Sequence, residues 1–137
     1  MRVADPDVQA ALSAVEAQQI TLKDPRYPAL LKTISDPPPQ LYVRGDATLL
    51  QKPLLAIVGS RRASAMGLKL AEEIAAAAVR TGLAVCSGLA LGIDGAAHRG
   101  ALAGGGNTVA VMATGITQIY PRRHERLGHE IAHAGCL

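Results

Sequence analysis

The sequence predicts an α/β protein with a parallel sheet, and three observations carry that prediction. The first is a set of apolar runs without polar alternation: Leu54-Leu55-Ala56-Ile57-Val58, Leu83-Ala84-Val85-Cys86 and Thr108-Val109-Ala110-Val111-Met112. Runs of this kind fit strands buried on both faces. The second is that each run gives way, through a glycine-containing loop, to a stretch with helical spacing, in the order β-α-β-α-β-α. That order calls for right-handed crossovers and helices on the faces of one sheet. The third is length: 137 residues make one domain, large enough to bury roughly two-thirds of its unfolded surface.

Asp5-Pro6 reads as an N-cap with proline at the first helical position, and Val8, Ala11, Leu12 and Val15 recur at helical spacing. Residues 1–19 are therefore a helical extension, and residues 20–52 a proline-rich lead-in. In the lead-in Ile20 and Leu22 alternate with polar neighbours before the turn Asp24-Pro25, and Leu30, Leu31 and Ile34 suggest a short helix. Asp36-Pro37-Pro38-Pro39 must end it, because each proline forces its predecessor out of the α region. Leu41-Tyr42-Val43 is a short strand ending at Gly45-Asp46. These pieces are too fragmented for a core of their own and form a small amino-terminal cap packed on the rest of the chain.

Residues 53–137 hold about three core strands. Ser64 caps the first helix, whose buried side is expected at Leu70, Ile74, Ala77 and Ala78, with a stop at Gly82. Asp94 caps the second, through Ala97, Ala101 and Leu102 to Gly104. Pro121 opens the third, with Leu127, Ile131 and Ala134 on its stripe and Gly135 at its end. A fourth strand is expected to start at Cys136-Leu137, so the sheet reads as partial and the chain as truncated.

Composition excludes several classes. With 49% hydrophobic and 18% charged residues the chain is not of the disordered type. Cys86 and Cys136 form no C-x-x-C pair, so neither a disulfide framework nor a cysteine-rich zinc module is expected. No apolar run approaches the ~18 residues of a membrane span and no signal-peptide core is visible, which leads to the expectation of a cytoplasmic protein without membrane contact. With three Tyr, no Phe and no Trp, stacking on aromatic side chains cannot be the main mode of nucleic-acid binding. Ten of the 14 basic residues are arginine, and five fall in two groups, Arg61-Arg62 and Arg122-Arg123 with Arg126. Arginine grips phosphate through a planar, bidentate fork.

In a parallel α/β sheet ligands bind beyond the carboxyl ends of the strands. Three segments land there: Gly59-Ser60-Arg61-Arg62-Ala63-Ser64, Ser87-Gly88-Leu89-Ala90-Leu91-Gly92-Ile93-Asp94, and Thr114-Gly115 on to Tyr120-Pro121-Arg122-Arg123. Each leads into a helix, whose unpaired amides and partial positive charge suit phosphate. The candidate phosphate-binding residues are Gly59, Ser60, Arg61, Arg62, Ser64, Ser87, Gly88, Arg122 and Arg123. The first loop is neither a Walker A loop nor a G-x-G-x-x-G fingerprint. No catalytic residue is assigned. Asp94 and His98 stand four apart, but read better as an N-cap and a locally hydrogen-bonded histidine than as orienter and base. His129-Glu130-Ile131-Ala132-His133 fits the zinc signature H-E-x-x-H on a predicted helix. Ile131 is needed for the apolar stripe, however, and only His124 or Glu125 is near as a third ligand, so no metal or other cofactor is expected.

Taken together, the motifs are more specific than their parts. Tyr27-Pro28, Asp36-Pro37-Pro38-Pro39 with Leu41-Tyr42-Val43-Arg44-Gly45, Val58-Gly59-Ser60-Arg61, Ser87-Gly88-Leu89-Ala90 with Gly92-Ile93-Asp94 and Ala97-His98, then Ala110-Val111, Thr114-Gly115 and Tyr120-Pro121 occur in one order and spacing. In this they closely resemble the DprA family of DNA-processing proteins, also called Smf, from about Ile20 to the last residue. The resemblance implies a Rossmann-like domain that binds and shields single-stranded DNA and delivers it to RecA in natural transformation, with no catalytic activity. By the family's motifs Arg61 contacts the DNA backbone, Arg122 matches the basic position after Tyr-Pro, and Ser87-Gly88 matches the Ser-Gly loop. The expected partners are single-stranded DNA and RecA, with homodimers formed by full-length members. The family's domain continues beyond this chain into its dimerisation and RecA-contact surface, and Met66 replaces a usual aromatic residue beside Gly67.

Two other classes stay open from the residues alone. One is a nucleotide-handling enzyme akin to phosphoribohydrolases, whose Pro-Gly-Gly-x-Gly-Thr loop is absent and for which Gly104-Gly105-Gly106 precedes a strand. The other is the zinc hydrolase. Residue chemistry points to phosphate; the resemblance alone points to single-stranded DNA.

Overall fold

In a computed structural model, which describes residues 5–137, the first element is helix α1 (Pro6–Ala14). Residues 1–4 of the expected extension lie outside the described residues. Asp5 caps α1 by accepting from the Asp7 amide at 2.9 Å, with Pro6 at the first helical position. Strands β1 (Ala17–Thr21) and β2 (Gln40–Arg44) pair antiparallel, Ile20 opposite Leu41. Between them the expected short helix is reduced to one 3-10 turn, Leu31–Thr33, and Leu30 and Ile34 are exposed. Ile34 is already extended, two residues before the Asp36 that Pro37 holds out of the α region, which leaves no room for a second turn.

The parallel sheet comes after a second 3-10 stretch, Ala47–Gln51. Its strands β3 (Leu54–Ala56), β4 (Ala84–Ser87) and β5 (Thr108–Ala110) lie in the order β3-β4-β5, with Leu54 beside Ala84 and Val85 beside Thr108. Helices α2 (Ala65–Arg80) and α3 (Ile93–Gly104) form the crossovers, and α4 (Glu125–Ala134) comes after a 3-10 turn at Arg122–His124. The predicted architecture, a parallel sheet with flanking helices, is the one observed. β4 and β5 are almost wholly buried, as expected, but all three residues of β3 are exposed. β3 is an edge strand, and no neighbour covers its outer side among the described residues.

Helix α2 buries Ala71, Ala75, Ala78 and Val79. Of the predicted face only Ala78 is buried; Leu70 is 53% exposed, Ile74 45%, and Ala77 is exposed as well. The reason lies in α3. A Cβ on Gly100 would sit 2.2 Å from the Glu72 carbonyl oxygen, and one on Gly104 would sit 2.9 Å from that of Ala76. Two helices this close admit alanine between them and exclude leucine, so α2 turns its small side inward. On α4, Leu127 and Ile131 are buried as predicted, while Ala134 is exposed because the chain leaves the helix there.

After α4 the chain forms a seam between the two sheets. Cys136 bridges parallel to Val109 and antiparallel to Gly45, so the chain pairs with β5 at the position where the fourth strand is expected. The Arg44 amide donates to Leu137 O at 3.2 Å, the Leu137 amide to Arg44 O at 2.7 Å, and the Asp46 amide to Gly135 O at 2.8 Å. Gly45 has φ +107, and a Cβ there would lie 2.4 Å from Gly135 O, so the seam requires glycine. Ile20, Tyr27, Val43, Ala47 and Leu49 of the cap share an apolar cluster with Val109 and Cys136. Leu12 of α1 shares another with Leu89, Ala110, Ile131 and Leu137. The fragmented lead-in thus takes its core from the sheet. Burial pushes the Cys136 thiol up to about 12, which keeps it protonated and inert.

Candidate functional site

The three loops predicted to meet at the carboxyl ends of the strands are joined by the first turn of α3. Asp94 does not cap this helix. The cap position belongs to Gly92, whose φ is +83 and whose Cβ, if present, would lie 2.2 Å from Ser60 O. Glycine is what lets the helix begin so close beneath the loop after β3. Ile93 donates its amide to Ser60 O at 3.1 Å and packs its side chain against Gly59, where a Cβ would stand 2.8 Å away. Asp94 turns its carboxylate to the next loop, Oδ2 accepting from the Gly88 amide at 3.0 Å. Gly95 makes room for the His124 ring, 2.6 Å from where its Cβ would be. Successive residues of one helical turn therefore fix the loop after β3, the loop after β4 and the arginine turn before α4.

Two buried histidines tighten this arrangement. Leu89 is fully buried with φ +61, a left-handed conformation that costs a non-glycine residue about 1–3 kcal/mol. Hydrogen bonds to both of its peptide groups offset that cost. Its amide donates to His98 Nε2 at 3.2 Å, and its carbonyl accepts from His124 Nδ1 at 2.8 Å. Thr108 donates its hydroxyl to Val85 O at 3.0 Å, so it accepts from His98 Nδ1 at 2.7 Å, and His98 is neutral with its proton on Nδ1. Burial lowers the pKa of His98 from 6.5 to about 4; the Asp94 carboxylate opposes this, and His124 and Arg99 reinforce it. His124 accepts on Nε2 from Arg99 at 3.3 Å. With both His98 nitrogens engaged by Leu89 and Thr108, Asp94 does not orient it as a base, and neither bond is to a near sequence neighbour. The sequence marks His124 only as a neighbour of the H-E-x-x-H pair; its actual role is not legible there, because its partner Leu89 is 35 positions away.

Arg61 and Gly88 line a cavity of about 320 Å³ together with Leu91, Val111, Tyr120 and Pro121. Arg122 lines an adjoining cavity of about 590 Å³ with Arg44, Gln118, Tyr120 and His129. Tyr120 belongs to both, so Arg61 and Arg122 stand on adjoining parts of one concave surface. Among the described residues the ion pairs are Arg26–Asp24 and Arg126–Glu130, which leaves the guanidinium groups of Arg44, Arg61 and Arg122 without a carboxylate partner. Arg62 and Arg123 are exposed next to them but line neither cavity.

The remaining predicted residues are engaged within the protein. Ser60 Oγ accepts from the Arg62 amide and Ser64 Oγ from the Gly67 amide, each at 3.0 Å. Ser87 is buried and donates to Ile57 O at 2.6 Å. Because the amides of Arg62, Gly67, Gly88 and Leu89 all donate internally, the amides expected to face phosphate are largely used, and guanidinium groups are the main free donors on this rim. Tyr120 is placed on the third loop by the sequence but is not among the candidate binding residues; a low aromatic count hides that one of the three tyrosines stands 64% exposed between the two cavities.

Gly104-Gly105-Gly106 ends α3 and turns into β5 at the amino end of that strand, away from the rim. His129 and His133 line an open groove with Arg44 and Glu16, and among the described residues no three His, Cys, Asp or Glu side chains form a metal-holding group. No helix among the described residues is long and apolar enough to cross a membrane.

Fold and rim together define a Rossmann-like α/β domain with cationic loops at its strand ends. The sequence profile of the DNA recombination-mediator protein A family matches residues 18–137, and the chain belongs to that family. It is 38% identical over 128 residues to the DNA processing protein DprA of Bacillus subtilis, an alignment covering 93% of this chain and 43% of that protein. The X-ray structure of DprA from Streptococcus pneumoniae superposes with a TM-score of 0.81 at 38% identity, over 93% of this chain and 46% of that one. DNA processing protein A from Helicobacter pylori, whose structure describes a single-stranded DNA binding mode, gives 0.77 at 32% identity, over 87% and 54%. The chain thus spans less than half of the B. subtilis and S. pneumoniae proteins.

Proposed function

We propose that the chain binds single-stranded DNA along this rim, holding the sugar–phosphate backbone rather than reading base edges. The observation that carries the proposal is the pair of unpaired arginines, Arg61 and Arg122, on adjoining cavities of a fold shared with DNA-processing relatives. Guanidinium groups supply charge-assisted bonds to phosphate without regard to sequence. The loops that carry them are already fixed by α3, so little ordering cost is left for binding. The action is binding and protection, not catalysis: Asp94, His98 and His124, the groups nearest to acid–base machinery, are occupied in holding Gly88 and Leu89. The proposal extends to delivery of the strand to RecA during DNA uptake in the cytoplasm. In that step full-length relatives would also use the segment this chain does not span, where the resemblance puts the homodimer and RecA contacts.

Fluorescence anisotropy of a labelled oligothymidylate tests the binding. Affinity is expected at low salt and should fall steeply as salt rises. Arg61→Ala should weaken binding by about 1–3 kcal/mol and leave the melting temperature unchanged, because the Arg61 side chain is exposed. Wild-type protein that binds no oligonucleotide at low salt overturns the proposal.

A further inference from the structure

We infer that the larger cavity is a second phosphate subsite, so that a bound strand passes Tyr120 and continues over Arg44 toward α4. The inference rests on the function proposed above for the nature of the ligand, and adds to the rim Arg44 and the groove beyond it, which neither the arginine clusters nor the strand-end rule pointed to.

The concave surface does not stop at the rim. Tyr120 is a wall common to the 320 Å³ cavity of Arg61 and the 590 Å³ cavity of Arg122. Arg44 and His129 are walls common to the 590 Å³ cavity and a further groove of about 410 Å³, which also holds Glu16 and His133. Three concavities therefore adjoin in sequence, each with at least one guanidinium group. In the middle one Arg44 and Arg122 face a single carboxylate, Glu125, so positive charge is in excess. Neither arginine is in an ion pair among the described residues. An unpaired guanidinium lining a concavity is a donor without an internal acceptor, and a phosphate supplies the missing one.

The mounting of Arg44 supports the assignment. It ends β2, and its peptide groups exchange hydrogen bonds with Leu137 at 3.2 and 2.7 Å, so its charge is carried on the sheet and not on a mobile loop. Tyr120, exposed between the two cavities, is placed for one base to stack on it where the backbone passes from Arg61 to Arg122.

The experiment is an anisotropy series on oligothymidylates of increasing length, with wild-type protein, Arg44→Ala, Glu125→Gln and, as a control outside the cavities, Arg126→Ala. Arg44→Ala is expected to weaken the longer strands roughly tenfold, to leave the shortest bound strand unchanged, and to reduce the salt slope by about 0.7, the contribution of one phosphate on a single strand. Glu125→Gln should tighten the longer strands selectively, and Arg126→Ala should change nothing. Wild-type affinity that rises with length, together with an unaltered affinity and slope for Arg44→Ala, overturns the second subsite while leaving the proposed function standing. Absence of wild-type binding at every length overturns both. If Arg44→Ala fails to fold, Glu125→Gln decides alone, and unchanged affinity for the longer strands overturns the inference.

Discussion

On the β5 side of the sheet, α1, the cap and α4 close over apolar residues until Ile20, Leu89, Ile131 and Cys136 have no exposed surface. On the β3 side Leu54 is 40% exposed, Val58 71%, Met66 74% and Leu70 53%. Both flanks carry large apolar residues, so the difference is one of cover and not of composition. The covered flank has a second sheet stitched to it through Gly45 and Cys136. The other ends, among the described residues, in an unpaired strand edge. The candidate site straddles the two: Gly88 and Arg122 belong to loops tied into the covered side, whereas Arg61 comes after β3 on the open one.

The contrast is broken most severely at the seam. Gly45→Ala places a Cβ at 2.4 Å from Gly135 O at φ +107 and is expected to cost about 3 kcal/mol or more, read as a fall in the urea midpoint. A loss below ~1 kcal/mol would show that the seam does not hold the cap down.

Acid should loosen the covered flank next. His98 is fully buried and its folded pKa lies below its unfolded value, so the unfolded chain takes up the proton first. Its contribution is fully present above pH 6.5 and is lost as pH falls through the interval down to about 4. The groups facing it are Asp94, His124, Arg99 and the Thr108 hydroxyl. Over that interval stability should fall by about 3 kcal/mol in wild-type protein, and His98→Asn should flatten this slope in urea titrations at stepped pH. An identical slope in the variant assigns the proton uptake elsewhere.

The smallest effect is expected on the open flank. Leu70→Gln and Ile74→Gln should each change stability by no more than about 0.5 kcal/mol, while lowering any self-association seen by light scattering. A loss near ~2 kcal/mol would mean that this flank is covered in solution.

Much of the fold was legible in the sequence. The β-α-β rhythm, the meeting of the three loops and the pairing at Cys136 all follow from apolar runs, glycine positions and the crossovers a parallel sheet demands. What was not legible depends on contacts between distant parts. The inward face of α2 is set by Gly100 and Gly104 of α3, and in an alanine-rich helix the large residues are a misleading guide to which side is buried. The capping role assigned to Asp94 went instead to Gly92, because the helix starts directly beneath another loop and not in open solvent. β3 looked like an interior strand because a continuous apolar run carries no mark of whether a neighbour is present.

Residues 92–95 lie beneath all three loops, so tension applied to Arg61 by a gripped strand is tension on the same turn of helix that seats Gly88 and His124. Behind that turn, α3 meets α2 backbone to backbone at Gly100 and Gly104, with no layer of long side chains to take up slack. Any displacement at the mouth of the domain would therefore be passed rearward by two closely packed helices, toward the flank where Leu70 and Ile74 stand exposed.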